Sequence, residues 1–395
     1  MIDQINHPEV QQFISKHENA DTSGLLLKHK HIAGVPMPVI VDQIVSKKKA
    51  KSKLPEWYRT QGLVFPPPLS LEQCSSEIAA KYKSHLYQGK SIVDLTGGMG
   101  VDSYYFSRAF ESVDYVEKSQ QLCQLATHNF EKLKAFNINV HHTNTKGFIS
   151  SVDKTYDVAF IDPSRRNEQK GKVHLLEDCE PNVIDFEQEL VSKAKTIILK
   201  TSPLLDVTKA IKSLKNVVKV LIISVDNECK EVLYILASKR EGSLTYEAVN
   251  LMKTGEEHLF SFSPEQESIL EVEYSLPDKY ILEPNASIMK SGGFKSLAKA
   301  FHLKKLHSNS HLFTSDQPIA GFPGKTFHLK AVEKLDRKKI LSHLDNDQAN
   351  VVVRNFPLNT TGIKNKLGVI DGGNTFLFAT TLLHNKKVVL ITERV

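Results

Sequence analysis

The segment Ser91-Ile-Val-Asp-Leu-Thr-Gly-Gly-Met-Gly-Val-Asp102 constrains the fold more than any other part of this chain. Ile92, Val93 and Leu95 flank an acid, Asp94, and lead straight into a glycine-rich turn. Val101 to Phe110 follows as an amphipathic segment, so the pattern predicts a buried strand, a tight turn and the start of a helix. Glycines let the backbone approach a ligand closely, and a helix N-terminus offers free N–H groups. Two common nucleotide loops do not fit. Gly98-Met-Gly100 is followed by Val101, Asp102 and Ser103, so the third glycine of a dinucleotide fingerprint is missing. A P-loop would end in Gly-Lys-Ser/Thr, which is absent here.

The next apolar run, Val113-Asp-Tyr-Val116, ends in Glu117. An acid at the end of a second strand, about 20 residues past the turn, is placed to accept hydrogen bonds from ribose hydroxyls. A third run, Ile138 to His142, ends near Asn144, whose side chain can read an adenine edge. A fourth, Tyr156 to Ile161, ends in Asp162-Pro-Ser-Arg-Arg166. Four strand ends thus bring polar residues to one edge of a sheet, where ligands bind in open α/β folds. Taken singly, each is equally a turn-forming Asp, Asn or Gly.

In this order they resemble the class I S-adenosylmethionine-dependent methyltransferases. Asp94-Leu-Thr-Gly-Gly-Met-Gly100 is similar to that family's cofactor loop, with Thr96 where a glycine is common. The resemblance implies S-adenosyl-L-methionine as cofactor, held by Asp94, Thr96, Gly97, Gly98, Gly100, Glu117, Asn144 and Asp162. Asp162-Pro163 matches the Asp/Asn-Pro-Pro-aromatic motif of amino-group methyltransferases and is implied to be catalytic. Ser164 and Arg165 replace the second proline and the aromatic that stacks on the target base.

Glu72-Gln-Cys-Ser-Ser-Glu77, Asn227-Glu-Cys-Lys-Glu231, Glu283-Pro-Asn-Ala-Ser-Ile-Met-Lys290 and Val353-Arg-Asn-Phe-Pro357 extend the likeness. With Asp162 to Arg166 they resemble a bacterial group of methyltransferases with a C-terminal THUMP-like domain. The group implies an RNA-directed enzyme, with Arg165, Arg166, Glu228 and Arg354 on the substrate side. Forked guanidinium donors suit phosphates, though helix capping or ion pairing explains the two adjacent arginines equally well.

A chain of 395 residues divides into two or three domains. The expected architecture is α/β: a Rossmann-like methyltransferase sheet, mostly parallel with an antiparallel last strand, between other regions. The expected divisions are a helical N-terminal region (1–85), the methyltransferase domain (86–240), a linker or small ferredoxin-like α+β region (241–322) and a small α+β THUMP-like domain (323–395). Within the first, Ser46 to Lys53 holds five lysines and reads as a solvated loop or a phosphate-contacting arm. Glu72 to Tyr87 reads as a helix, with Ser75 and Ser76 as caps facing the cofactor's methionine end. Ser119 to Phe136 is the clearest helix, with Ser119 as its N-cap.

Strands are expected at Thr196–Leu199, Val217–Ser224 and Val232–Leu236. The last two have too short a connection for a helical crossover and should form an antiparallel hairpin, with Glu228 at its tip turned to the substrate. From 241 onward, strand-like pieces at 244–251, 259–262 and 269–274 precede a helix near 293–301. The remainder reads strand, helix, strand, helix, strand, strand.

No apolar run approaches the ~20 residues that span a bilayer, so no membrane association is expected. The four cysteines form no CxxC pair, which argues against a zinc site, predicts no metal and fits a reducing cytoplasm. Net charge is +6, and Lys325 onward holds 12 Lys/Arg against 6 Asp/Glu, so this segment equals the whole chain's surplus. Concentrated positive charge favours nucleic acid, here tRNA or rRNA, over a neutral partner. Cytosine-5 chemistry needs a cysteine nucleophile after the fourth or fifth strand. Those places hold Asp162-Pro-Ser164 and Thr201-Ser-Pro203, and Cys229 reads as an ordinary buried cysteine.

The reading favoured by these features is methylation of a purine amino group or ring nitrogen in structured RNA. The alternatives are a protein or small-molecule methyltransferase whose end domain is a packing module, and a non-catalytic RNA-binding protein.

Overall fold

The computed structural model describes residues 2–165, 175–238 and 242–395. The chain divides into two compact units, 1–218 with 231–241, and 219–230 with 242–395.

The first unit opens with helices. The longest, α1 (Met37–Lys53), buries Ile40, Ile44 and Ala50. The lysine run at 46–53 is therefore the last turns of a helix and not a loop. Lysine and alanine are good helix formers, and the apolar stripe upstream anchors the element they extend. Lys49 pairs with Glu72, and Lys53 Nζ donates to the Leu71 carbonyl at 3.0 Å. The helix expected over 72–87 is α2 (Glu77–His85), capped by Ser76, whose Oγ accepts from the Ala79 N–H.

Six strands form this unit's sheet: β1 (Gly89–Asp94), β2 (Phe110–Glu117), β3 (Ile138–His142), β4 (Tyr156–Ile161), β5 (Ala194–Thr201) and, following β6 (Val217–Val225), β7 (Glu228–Ala237). Their order is β7-β5-β4-β1-β2-β3. All pairs are parallel except β7 against β5, as the short connection before β7 requires. The strands are apolar runs because helices cover both faces of such a sheet. Among the covering helices are α3 (Val101–Phe106), α4 (Gln120–Lys132) and α5 (Thr145–Ser151). Ser119 caps α4 as expected, and Asn144 caps α5. The chain runs outward through β1, β2 and β3 and then returns to place β4 on the other side of β1. This reversal makes the C-terminal ends of β1 and β4 the switch point, where a crevice opens.

In the second unit, Asp226 and Asn227 form the two-residue turn between β6 and β7, with φ of 47° and 65°. Two left-handed residues are the geometry favoured between antiparallel strands. β6 pairs in parallel with β8 (Thr245–Leu251), which pairs antiparallel with β9 (Glu257–Phe262). The strand expected at 269–274 is not formed: Pro264–Ile269 is a short helix capped by Ser263, and Ile269 is 80% exposed.

A separate seven-stranded sheet contains β10 (Tyr280–Pro284), β11 (Lys304–Lys305), β12 (Phe313–Ser315), β13 (Gly324–Glu333), β14 (Asn350–Arg354), β15 (Thr375–Leu382) and β16 (Lys386–Arg394). Its order is β11-β12-β10-β13-β16-β15-β14. β10 to β12 lie outside the pieces that the alternation pattern marks, being short. The helices α6 (Arg337–Leu341) and α7 (Thr360–Leu367) bury Ile340, Ile363 and Leu367 with Val351, Leu377 and Ile391. A second cluster packs Ile281, Phe327, Phe378 and Leu390 together.

Candidate active site

The loop after β1 is tied to both neighbouring strands. Leu95 N–H donates to the Phe160 carbonyl at 2.9 Å, and Gly97 N–H to the Val116 carbonyl at 2.9 Å. Tyr115, on β2, lies beneath the turn and donates its hydroxyl to the Gly98 carbonyl at 2.6 Å. A Cβ on Gly97 would stand 2.1 Å from that ring, and one on Gly100, at φ +87°, 2.6 Å from Phe130. Packing therefore demands glycine at both positions. A Cβ on Gly98 (φ +53°) would make only an ordinary contact, 3.8 Å from the Thr96 carbonyl oxygen.

Glu117, at the end of β2, accepts the Gly98 N–H at 3.0 Å on one oxygen and the Ser119 N–H at 2.8 Å on the other. Each oxygen keeps a further lone pair for a ligand hydroxyl. Asn144 Oδ1 accepts the Gly147 N–H at 2.8 Å, capping α5. Asp94 is fully buried, accepting from Ser103 Oγ at 2.6 Å and from the Thr96 N–H at 3.1 Å. Burial pushes its carboxyl up to about 7 against those hydrogen bonds.

Asp162 lies directly across the switch point from this loop. Its N–H donates to Thr96 Oγ1 at 2.6 Å, and Pro163 beside it is buried. Thr96 thus has a structural use that the more common glycine could not supply.

A charged group stands behind Asp162 that strand and turn patterns do not reveal. Lys200, on β5, pairs with Asp162 and lies 4.0 Å from Asp102 Oδ2. Lys83, on α2, contacts Asp102 Oδ1 and Glu231 Oε2, each at 2.9 Å, and donates to Ser75 Oγ at 2.7 Å. Ser75 in turn donates to Asp102 at 2.7 Å.

Burial alone would raise the Asp102 carboxyl, but Lys83 and Lys200 outweigh it and hold the group below its usual range. Burial would lower Lys200, yet the carboxylates of Asp162, Asp102 and Glu231 hold its ammonium above the ordinary lysine value. The available sequence signals are a lysine at the end of an apolar strand and another on the apolar face of α2.

Asp94, Thr96, Gly97, Gly98, Gly100, Glu117, Asp162 and Pro163 are therefore brought to one edge, with Asn144 on the helix that follows β3. Glu228 and Arg354 belong to the second unit. Glu228 is 74% exposed and pairs with Lys230 at 2.6 Å, while Arg354 pairs with Glu283 at 2.8 Å. Arg166 and the side chain of Arg165 lie outside the described residues. Cys229 is half-buried, a correction to its expected burial, and burial pushes the Cys74 thiol up to about 11. Among the described residues no cluster of three His, Cys, Asp or Glu can hold a metal ion, and no helix is long and apolar enough to cross a membrane.

A ferredoxin-like domain family matches residues 280–323, and a THUMP domain-like family matches 324–394. A solved protein of Porphyromonas gingivalis W83, described as a candidate methyltransferase, superposes with a TM-score of 0.86 at 29% identity, covering 98% of this chain and 97% of that one. By fold and domain order the chain is similar to that protein, and it carries a THUMP-like domain at its C-terminus. No curated protein matches it.

Two further solved structures each cover part of this chain. TrmK of M. capricolum, solved with S-adenosyl-homocysteine, has a TM-score of 0.32 at 13% identity, covering 42% of this chain and 70% of that one. The tRNA m1G37 methyltransferase of M. jannaschii has a TM-score of 0.30 at 14% identity, covering 42% and 51%.

Proposed function

We propose that the chain transfers a methyl group from S-adenosyl-L-methionine to a base in structured RNA, at a purine amino group or ring nitrogen. The observation that carries this reading is Asp162 at the switch point, hydrogen-bonded through its N–H to the Thr96 hydroxyl of the glycine loop. The residues fit the cofactor: the loop from Thr96 to Gly100 and the Glu117 carboxylate would hold it, with the Asn144 amide at the base edge. When bound, the cofactor supplies a methyl already activated on a sulfonium.

The protein's own task is then alignment and handling of one proton. An exocyclic amine is a weak nucleophile because its lone pair is delocalised into the ring. A carboxylate acceptor such as Asp162 binds the N–H and raises electron density on nitrogen as the new bond forms. RNA as the acceptor is supported by the 12 Lys/Arg against 6 Asp/Glu from Lys325 onward. The proposed division is a helical region at 1–85, a catalytic domain at 86–240, a connecting α+β region at 241–322 and a docking domain at 323–395.

Nucleoside mass spectrometry of tRNA and rRNA, from cells with and without the gene, tests the acceptor. One methylated nucleoside missing from the deletion is the expected result. No difference in any RNA pool moves the assignment to a protein or small-molecule acceptor. In purified protein, Asp162→Ala should retain S-adenosyl-homocysteine binding by calorimetry and lower transfer about 10²–10⁴-fold.

A further inference from the structure

The register of the sheet brings Asp162 and Lys200 together. Ile161 and Leu199 are paired across the parallel strands β4 and β5. The next residues are therefore Asp162, just past the end of β4, and Lys200, still on β5, side by side. Lys200 is 7% exposed, whereas the Asp162 side chain is 32% exposed at the mouth of the crevice. The ammonium sits on Oδ2, which leaves Oδ1 for an incoming donor.

Behind Lys200 the chain continues to bury charge. Asp102, Lys83 and Glu231 are all under 10% exposed and contact one another through Lys83. Charge is expensive to bury, and apolar residues of similar volume often serve stability as well or better. Five ionisable groups at one sheet edge, two ammonium groups against three carboxylates, are therefore poorly explained by stability alone. Their balance leaves one negative charge beside the place where a methylated amine becomes positive.

We propose that Lys200 is a positioning residue for the transfer: its ammonium, fixed from behind by Asp102 and the Lys83–Glu231 pair, sets the plane of the Asp162 carboxylate so that Oδ1 meets the acceptor N–H. The proposal rests on the reading of Asp162 as the acceptor of that proton. A carboxylate hinged only on its own side-chain torsions would sample several orientations. One oxygen held by a buried cation restricts it to one, and orientation of this kind is a large part of catalysis in transfers between bound partners.

Steady-state kinetics on the RNA identified by the nucleoside comparison test this, using the full chain and the variants Lys200→Met, Lys200→Arg, Asp162→Ala and Asp162→Ala/Lys200→Met. Lys200→Met should lower kcat about 10–100-fold, with KM for RNA and Kd for S-adenosyl-homocysteine within about threefold of wild type. Lys200→Arg, which keeps the charge, should recover most of the loss and also serves if the methionine variant fails to fold. Adding Lys200→Met to Asp162→Ala should lower kcat no further, because a positioning residue acts only through its partner.

Wild-type kcat in Lys200→Met, or a multiplicative loss in the double variant, overturns the positioning role while Asp162 stands. A parallel loss of kcat, RNA binding and cofactor binding in Lys200→Arg assigns Lys200 to structure only and also overturns it. Full activity in Asp162→Ala sinks the reading of Asp162 itself, and this inference with it.

Discussion

The first sheet and the THUMP-like segment 324–394 use charge in opposite ways. At the C-terminal edge of the first sheet, Asp102, Lys83, Glu231 and Lys200 are buried and paired with one another. The THUMP-like segment 324–394 buries no charged side chain and has an apolar core, with Phe327, Phe378 and Leu390 at 0% exposure. Its lysines stand outside: Lys334, Lys338, Lys339 and Lys366 are exposed on and beside α6 and α7. Buried charge is held only by well-placed partners and fixes geometry, whereas exposed charge adds little stability and remains free to meet a polyanion. The first arrangement suits chemistry at one atom, the second attraction over a surface.

Breaking the buried side should have the largest effect. Lys83→Met leaves Asp102 and Glu231 short of a counter-charge and should destabilise the fold by about 3–5 kcal/mol, read as a lowered denaturant midpoint. An unchanged midpoint would show that water or rearrangement satisfies the two acids.

The pH dependence sharpens the contrast, because the two units should respond with opposite sign. Asp94 is raised from 3.8 to about 7 in the fold, so the folded state holds a proton that the unfolded chain releases. Its contribution to stability falls as pH rises from about 4 to 7. His311, in the second unit, is lowered from 6.5 to about 4 by burial and by nearby Lys305 and Arg354. Its contribution is present above about 6.5 and is lost as pH falls toward 4. Difference curves of unfolding free energy against pH, for Asp94→Asn and His311→Gln each against wild type, should therefore slope in opposite directions. Slopes of the same sign would contradict the contrast.

The smallest effect on stability is expected outside. Lys338→Ala with Lys339→Ala should change unfolding by no more than about 0.5 kcal/mol. If the RNA reading holds, the same pair should reduce the log–log salt slope of RNA binding by about 0.7–0.9 for each phosphate that these two lysines neutralise. An unaltered slope would remove them from the docking surface.

Much of the first sheet is legible in the sequence because its signals are local. Alternation of apolar runs with amphipathic segments marks β1 to β5, and Ser119 announces the start of α4. Glu117 and Asp162 stand out because each ends an apolar run, where a polar side chain is conspicuous. The misreadings also have local causes. The lysine run resembles a loop because its anchoring apolar residues lie upstream in α1, and Ile269 resembles a strand residue although a proline and a serine cap start a helix before it. The short strands β10 to β12 have too few residues for a period to show. The glycine loop suggests ligand access, whereas Gly97 and Gly100 answer first to Tyr115 and Phe130, side chains 18 and 30 residues farther along.

By itself the sequence determined the elements of the first sheet, their order along the chain and the edge to which the strand ends deliver polar groups, since each follows from residue spacing within one segment. Only the tertiary structure decided which charges meet. Lys83, Asp102, Lys200 and Glu231 come from a helix before the sheet, a helix within it and two of its strands. Nothing in local periodicity links them, because pairing depends on strand register and on the side from which a helix packs. Burial then converts that proximity into a strong interaction, by removing the water that would otherwise screen it.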